Sequence, residues 1–224
     1  MSIFDINTIF FEVIGYSMSY LEFFGVMFGL LAIYFSARGN VLTWPIGLIN
    51  VVLAFLLYYQ IRLYPDMVLQ LFFLCTNLLG WWRWTHPHQD ETDDNHQLRV
   101  SFMSRVEMIV LILLGVAGTL LLSFVAQRVH LWFPVIFQHP SDYPYIDSFI
   151  TVMSIVNTYY VIQKKIESWV VWIVVDIMAA CLYYVKGVKF YSIEYVIFTG
   201  LAIFGLLKWI AIYRHYKPQM LHTK

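Results

Sequence analysis

Long apolar runs, interrupted by single polar residues or a proline, fill the chain from Leu21 to Tyr213. A helix that crosses a bilayer needs about 20 mostly apolar residues. The pattern meets that template seven times, over residues 21–37, 41–60, 65–84, 107–127, 146–163, 169–186 and 192–213. The stretch 6–20 is shorter and has Asp5, Glu12 and Gly15 around its apolar positions; it reads as an interfacial or packed helix. Between the third and fourth spans, His86-Pro87-His88-Gln89-Asp90-Glu91-Thr92-Asp93-Asp94-Asn95-His96 reads as an aqueous linker. Its three histidines lack the second ligand cluster that a metal site requires.

Sliding the sequence along itself by 125 residues, without a gap, aligns Glu22 with Asp147, Tyr34 with Tyr159, Thr43 with Ser168 and Trp44 with Trp169. Further on, Tyr58-Tyr59 meets Tyr183-Tyr184, Gly80 meets Gly205 and Arg83-Trp84 meets Lys208-Trp209. Apolar residues align by chance; rare Trp, Tyr-Tyr and basic-Trp pairs do not. The expected fold is therefore an all-α membrane protein with about seven transmembrane helices, arranged as two parallel three-helix repeats joined by a connecting helix (3+1+3). The predicted organisation is an interfacial segment 1–20, a first repeat 21–84, a cytoplasmic loop 85–106, a connecting helix 107–127, an external loop 128–145, a second repeat 146–213 and a cytoplasmic tail 214–224. Parallel repeats are a transporter design in which two halves rock about a site near the midplane.

Composition agrees: 60% of the residues are hydrophobic and 12% charged, far from the soluble norm of about a quarter charged. A formal net charge of zero and the absence of any basic block exclude nucleic acid as a partner. Cys75 and Cys181 lie inside apolar runs and read as packing residues. No removable signal segment is expected at the start. Seven crossings put ten Lys/Arg on the side of the C-terminus and four on the other, which predicts a cytoplasmic C-terminus and an external N-terminus.

Polar groups at bilayer depth are costly, so their angular positions carry information. On the sixth span Trp169, Trp172, Asp176, Ala179, Tyr183 and Lys186 fall within an arc of roughly 100°. On the third, Asp66, Gln70 and Asn77 form a narrow polar stripe. The fifth collects Asp147, Thr151, Ser154, Asn157 and Thr158, and the second Trp44, Gly47, Asn50, Ala54 and Tyr58. Four helices thus offer amide, hydroxyl, carboxylate and indole groups to a common interior. The candidate substrate contacts are Trp44, Asn50, Gln70, Asn77, Asn157, Trp169, Trp172, Asp176 and Tyr183. Asp176 is the sharpest of them, because a carboxylate deep in a span needs a partner, a proton or water. The serine and threonine hydroxyls serve equally well as interhelical hydrogen bonds. Lys186 and Lys189 read as snorkelling to the interface, and Gly25, Gly29, Ala32 and Ser36 as a packing stripe. No catalytic set, metal site, cofactor or ATP-binding motif is expected.

The stretch from Trp44-Pro45-Ile46-Gly47-Leu48-Ile49-Asn50 through Tyr58-Tyr59, Leu63-Tyr64, Leu69-Gln70 and Gly80-Trp81-Trp82-Arg83-Trp84 resembles the first half of the PnuC family. The stretch Glu167-Ser168-Trp169-Val170-Val171-Trp172-Ile173-Val174-Val175-Asp176, with Tyr183-Tyr184-Val185-Lys186-Gly187 and Gly205, resembles the second. The resemblance implies a bacterial inner-membrane transporter of nicotinamide riboside, distantly akin to SWEET sugar transporters, and a homo-oligomer with a trimer as the candidate state. Facilitated diffusion by alternating access, with the cargo trapped by cytoplasmic phosphorylation, is the expected mechanism; proton coupling through Asp176 is its variant. The chemistry is compatible, since aromatic faces attract a cationic pyridinium and Asp176 offsets its charge. The alternatives are a carrier of a related riboside, a thiamin-like cation or a sugar, and a membrane receptor or intramembrane enzyme.

Overall fold

The computed structural model describes residues 4–13, 16–61, 64–92, 97–132, 141–187 and 189–222. Its regular structure consists of two short strands, β1 (Ile9–Val13) and β2 (Tyr16–Ser19), followed by helices α1 (Tyr20–Ala37), α2 (Thr43–Gln60), α3 (Tyr64–Thr85), α4 (Arg105–Trp132), α5 (Pro144–Ile162), α6 (Glu167–Val185) and α7 (Lys189–His222). Five of these, namely α1, α2, α4, α6 and the stretch Tyr191–His215 of α7, are long and apolar enough to cross a membrane. The remaining two have comparable length but more polar sequences, with Gln70 and Asn77 in α3 and Asp147, Ser154, Asn157 and Thr158 in α5. The chain divides into two compact units, Met1–Arg99 and Val100–Lys224.

In the first unit the expectation of a helix over 6–20 is overturned: β1 and β2 pair antiparallel. The cause is legible in the residues, because Ile9-Phe10-Phe11 and Val13 are strand formers rather than helix formers. The sheet is pinned to α1 by Phe10 and Phe11, whose rings lie 5.0 and 5.5 Å from that of Phe23. Helix α1 starts where Ser19 and Glu22 form a capping box, which satisfies two of the backbone donors that every helix start leaves open. Gln60, at the end of α2, accepts from the Ile6 N–H at 2.9 Å and donates to the Phe4 carbonyl at 2.7 Å, holding the N-terminal segment to that helix. Helices α1 and α2 approach closely at Gly29, where a Cβ would meet the Asn50 amide nitrogen at 3.2 Å.

In the second unit α4 spans 28 residues, longer at both ends than the connector expected over 107–127. It is also more than a connector, since Gly115 and Gly118 let it seat against α5: a Cβ at either would lie 2.7 Å from Met153 Sδ or 2.8 Å from Val152. Its other faces expose Ile109, Ile112, Leu113, Val116, Leu120 and Leu121, a surface that suits lipid. Helix α7 runs on to His222, so the predicted tail is helical well beyond residue 213. The linker before α4 is partly folded as well. Ser101 donates its N–H to the Lys164 carbonyl and accepts from the Ile166 N–H, like a strand rung laid on the α5–α6 turn. Glu167 caps the Met103 N–H at 2.9 Å, and Lys165 pairs with Glu107 at 3.0 Å. Replacing Ser101 by Pro deletes one of these donors, and the lost bond is worth about 1 kcal/mol net. The expected result is a melting temperature lowered by a few degrees, with Ser101→Ala as the neutral control.

The turns after α1 and after α5 repeat one another bond for bond at the 125-residue spacing. Gly39 N–H donates to the Ser36 carbonyl, Asn40 to Phe35, Thr43 to Asn40 and Trp44 to Val41; Lys164 donates to Val161, Lys165 to Tyr160, Ser168 to Lys165 and Trp169 to Ile166. Gly39 and Lys164 both adopt positive φ, at 67° and 49°, a backbone state that favours glycine. Even the clasp across the turn recurs with its donor exchanged. In the first unit the Thr43 hydroxyl donates to the Ala32 carbonyl, and in the second the Asn157 amide donates to the Ser168 carbonyl, each at 2.8 Å.

Candidate functional site

In the first unit, the indole of Trp44 is 6% exposed and edge-on to Trp84, with ring centroids 5.1 Å apart. Gly80 supplies the room: a Cβ there would fall within the Trp44 ring. Asn50 spends its amide on the Gly25 carbonyl at 2.7 Å, which clasps α2 to α1. Both residues therefore serve helix packing. Asn77 donates to its own helix at the Phe73 carbonyl, 2.8 Å away, and its side-chain oxygen occupies the space left by Gly47 on α2. Gln70 is 7% exposed on the same stripe. The side chain of Asp66, expected to continue that stripe, lies outside the described residues.

The second unit treats its tryptophan the same way. Trp169 is 3% exposed, edge-on to Trp209 at 5.4 Å and seated over Gly205. The indole N–H of Trp169 and that of Trp44 have no hydrogen-bond partner among the described residues, nor does the buried side-chain oxygen of Asn157. Trp172, half-buried, packs against a cluster of Met103, Leu111, Met153, Tyr160 and Val175. The fifth-helix hydroxyls take the bland role. Thr151, Ser154 and Thr158 each donate to the carbonyl four residues earlier in their own helix, at 2.7 to 2.9 Å. Lys186, expected to snorkel to the interface, pairs with Asp147 at 3.1 Å and ties the end of α6 to the start of α5.

Asp176 remains. It is 5% exposed, and no hydrogen bond or ion pair reaches it among the described residues. It stands within about 20° of arc of both Trp169 and Tyr183, the two α6 residues whose rings contact α7. Tyr183 stacks on Tyr195 at 5.5 Å and 7°, and meets Tyr191 at 5.4 Å. A carboxylate so placed, on the same face as Trp169 and Tyr183 and without an ion-pair partner among the described residues, suits an organic cation. The sequence reading passed over Glu194 of α7, which is half-buried and likewise without a bond or ion pair among the described residues. Its signal was available, as an acidic residue inside the seventh apolar run. Two cavities open on the second unit. One, of about 220 Å³, is lined by Tyr143, Ile146, Ile177, Met178, Cys181, Leu182 and Val185. The other, of about 290 Å³, is lined by Lys208, Ala211, Ile212 and His215. Neither contains a predicted contact.

Long apolar helices with polar groups kept to particular faces mark a multi-pass membrane protein. Comparison with known proteins makes the assignment specific. Residues 19–211 match the model of the nicotinamide mononucleotide transporter family, and the chain belongs to that family. Over 212 residues it is 27% identical to the nicotinamide riboside transporter PnuC of Escherichia coli, covering 88% of this chain and 87% of that protein. It is 24% identical over 185 residues to the riboflavin/roseoflavin transporter RibM of Streptomyces davaonensis, covering 83% and 82%. Among solved structures, the crystal structure of the vitamin B3 transporter PnuC matches 88% of this chain and 83% of its own, with a TM-score of 0.64 at 21% identity. That match supports the all-helical fold.

Proposed function

We propose that this protein carries nicotinamide riboside across the bacterial inner membrane by facilitated diffusion. The cargo is a flat permanent cation with a carboxamide and a ribose, and the observation that carries the reading is Asp176, buried on α6 without a protein partner. Within the second unit Trp172 and Tyr183 are proposed as aromatic contacts; within the first, Gln70 and Asn77 are the candidate amide groups. Family and relatives differ in the cargo they are named for: a mononucleotide, a riboside and a neutral flavin. A phosphorylated cargo calls for an Arg or Lys clamp. Along α2, α3, α5 and α6 the only such residue is Arg83, in the last turn of α3, and it is bound to Glu91 at 2.7 Å. A neutral flavin leaves Asp176 uncompensated.

The proposed architecture is seven crossings in two parallel three-helix repeats, α1–α3 and α5–α7, with α4 as the connection that restores direction. The recurrence of the turn hydrogen bonds and of the Trp–Trp–Gly cluster supports it. The excess of basic residues on one side supports a cytoplasmic C-terminus. Transport then proceeds by alternating access, with net uptake maintained by phosphorylation of the riboside in the cytoplasm.

The test is calorimetry of the purified protein with nicotinamide riboside, its 5′-phosphate and riboflavin. Measurable binding of the riboside, with the phosphate at least about tenfold weaker, or about 1.4 kcal/mol, is the expected result. Equal affinity for the phosphate overturns the choice of an unphosphorylated cargo. Tighter binding of riboflavin transfers the chain to the second relative's chemistry.

A further inference from the structure

Helix α7 lies on α6 along a definable stripe. The Ser192 hydroxyl donates to the Ala180 carbonyl at 2.8 Å, Tyr195 stacks on Tyr183, Gly205 underlies Trp169, and Trp209 meets that indole edge-on. Glu194 borders this stripe, about 40° of arc from Phe198 and about 60° from Tyr191 at 100° per residue. Tyr191 and Phe198 are themselves part of the aromatic group, Tyr191 against Tyr183 at 5.4 Å and Phe198 edge-on to Tyr195 at 5.8 Å. On the opposing helix Asp176 lies on the α7-facing side between the Trp169 and Tyr183 contacts, 5% exposed and without a partner among the described residues.

One helical hairpin therefore carries two carboxylates with no cation paired to them among the described residues. The basic residue at the α6 end, Lys186, is engaged by Asp147, and Lys189 is exposed at the first position of α7. Ionised groups in a bilayer persist where they meet a counter-ion, water or a substrate. Glu194 stands one turn from both Tyr191 and Phe198 on the same helix, and a carboxylate beside aromatic rings attracts an organic cation through both ring face and charge.

Building on the proposed cargo, we infer that Glu194 is a second anionic contact for the cationic ring, set beside the Tyr183–Tyr195 stack, and that it makes the carrier select a charged ring over a neutral one. Asp176 holds the cation within the hairpin; Glu194 discriminates by charge at the aromatic group. The ligand class is a monovalent, flat organic cation.

The experiment compares calorimetric binding of nicotinamide riboside with that of its uncharged dihydropyridine form, for the wild type, Glu194→Gln, Glu194→Asp and Asp176→Asn. The expected outcome is that Glu194→Gln weakens the cation five- to twentyfold, leaves the neutral form within about twofold, and that Glu194→Asp restores most of the loss. An equal loss for both ligands, or a loss that Glu194→Asp does not recover, makes the residue structural and overturns the inference. Unchanged binding of both ligands by Glu194→Gln overturns it as well. If the wild type binds the cation and Asp176→Asn loses it while Glu194→Gln does not, only this inference falls. If the wild type binds neither form, the proposed cargo falls with it.

Discussion

Replacing Asp176 by Asn is expected to weaken nicotinamide riboside binding by 10- to 100-fold, about 1.4 to 2.8 kcal/mol, while leaving the ligand-free protein as stable as the wild type or more so. The two halves of this result have one cause. A carboxylate that is 5% exposed and has no partner among the described residues is a desolvated charge, and burying an ion without compensation is destabilising. Asparagine keeps the shape and removes the charge, so the free protein loses a liability and the complex loses its counter-ion. Calorimetry for binding and a melting curve in detergent without ligand separate the effects. A variant that melts much lower and binds weakly would show that Asp176 holds the helices together through contacts, and the site would have to be sought elsewhere. Unaltered affinity with a normal melt would remove Asp176 from the cargo's path.

The second large effect concerns packing. At position 205 a Cβ would lie 2.7 Å from three atoms of the Trp169 ring, and that ring is backed by Trp209 at 5.4 Å and 90°. The ring is 3% exposed and packed from both sides, so Gly205→Val is expected to destabilise the protein by about 1 to 3 kcal/mol or more and to reduce the yield of monodisperse material sharply. Gly80→Val repeats the experiment beneath Trp44, where the fit is tighter still. Trimming the opposing ring in Gly205→Val/Trp169→Ala is expected to recover part of the loss, because two neighbours that clash are not additive. A normal melt for either valine variant would show that the helices part more easily than their contacts imply.

These clusters account for the strongest matches at the 125-residue spacing. The positions that align best, Trp44 with Trp169, Gly80 with Gly205 and Trp84 with Trp209, are the three members of one packing unit. A large flat ring, its edge-on neighbour and the glycine beneath it constrain one another, and such a set resists drift in a way that a Leu among lipid tails does not. Elsewhere the copies have diverged in matched exchanges. The position of Gly47, which makes room for Asn77, is held by Trp172 in the second unit, and that of Asn77 is held by Ala202.

Reading faces from angles alone succeeded less evenly. Trp44, Trp169, Asn50 and Asn157 lie on the arcs that mark an interior face, yet their packing and hydrogen bonds are with the next helix or turn. The arc gives the direction of a side chain and not what meets it. A helix in a bundle turns polar and small residues toward its neighbours for packing as readily as for a ligand, because hydrocarbon outside offers no hydrogen bonds in either case. The N-terminal segment departs from the expected interfacial or packed helix for a different reason: Ile9, Phe10, Phe11 and Val13 favour extended backbone, and β1 pairs with β2.

Sequence by itself determined the solvent and the seven long helices, since both are written in properties that add up locally: apolar run length and the polar or proline breaks between runs. It also located Asp176, because an acid within an apolar run needs no neighbours to be conspicuous. Tertiary structure alone decided which polar groups are already satisfied, that Lys186 belongs to Asp147, that residues 101–107 are fastened to the α5–α6 turn, and that Tyr183 stacks on Tyr195. Hydrogen-bond satisfaction depends on which atoms of distant residues come within about 3 Å of one another, a quantity that no periodicity along one helix contains.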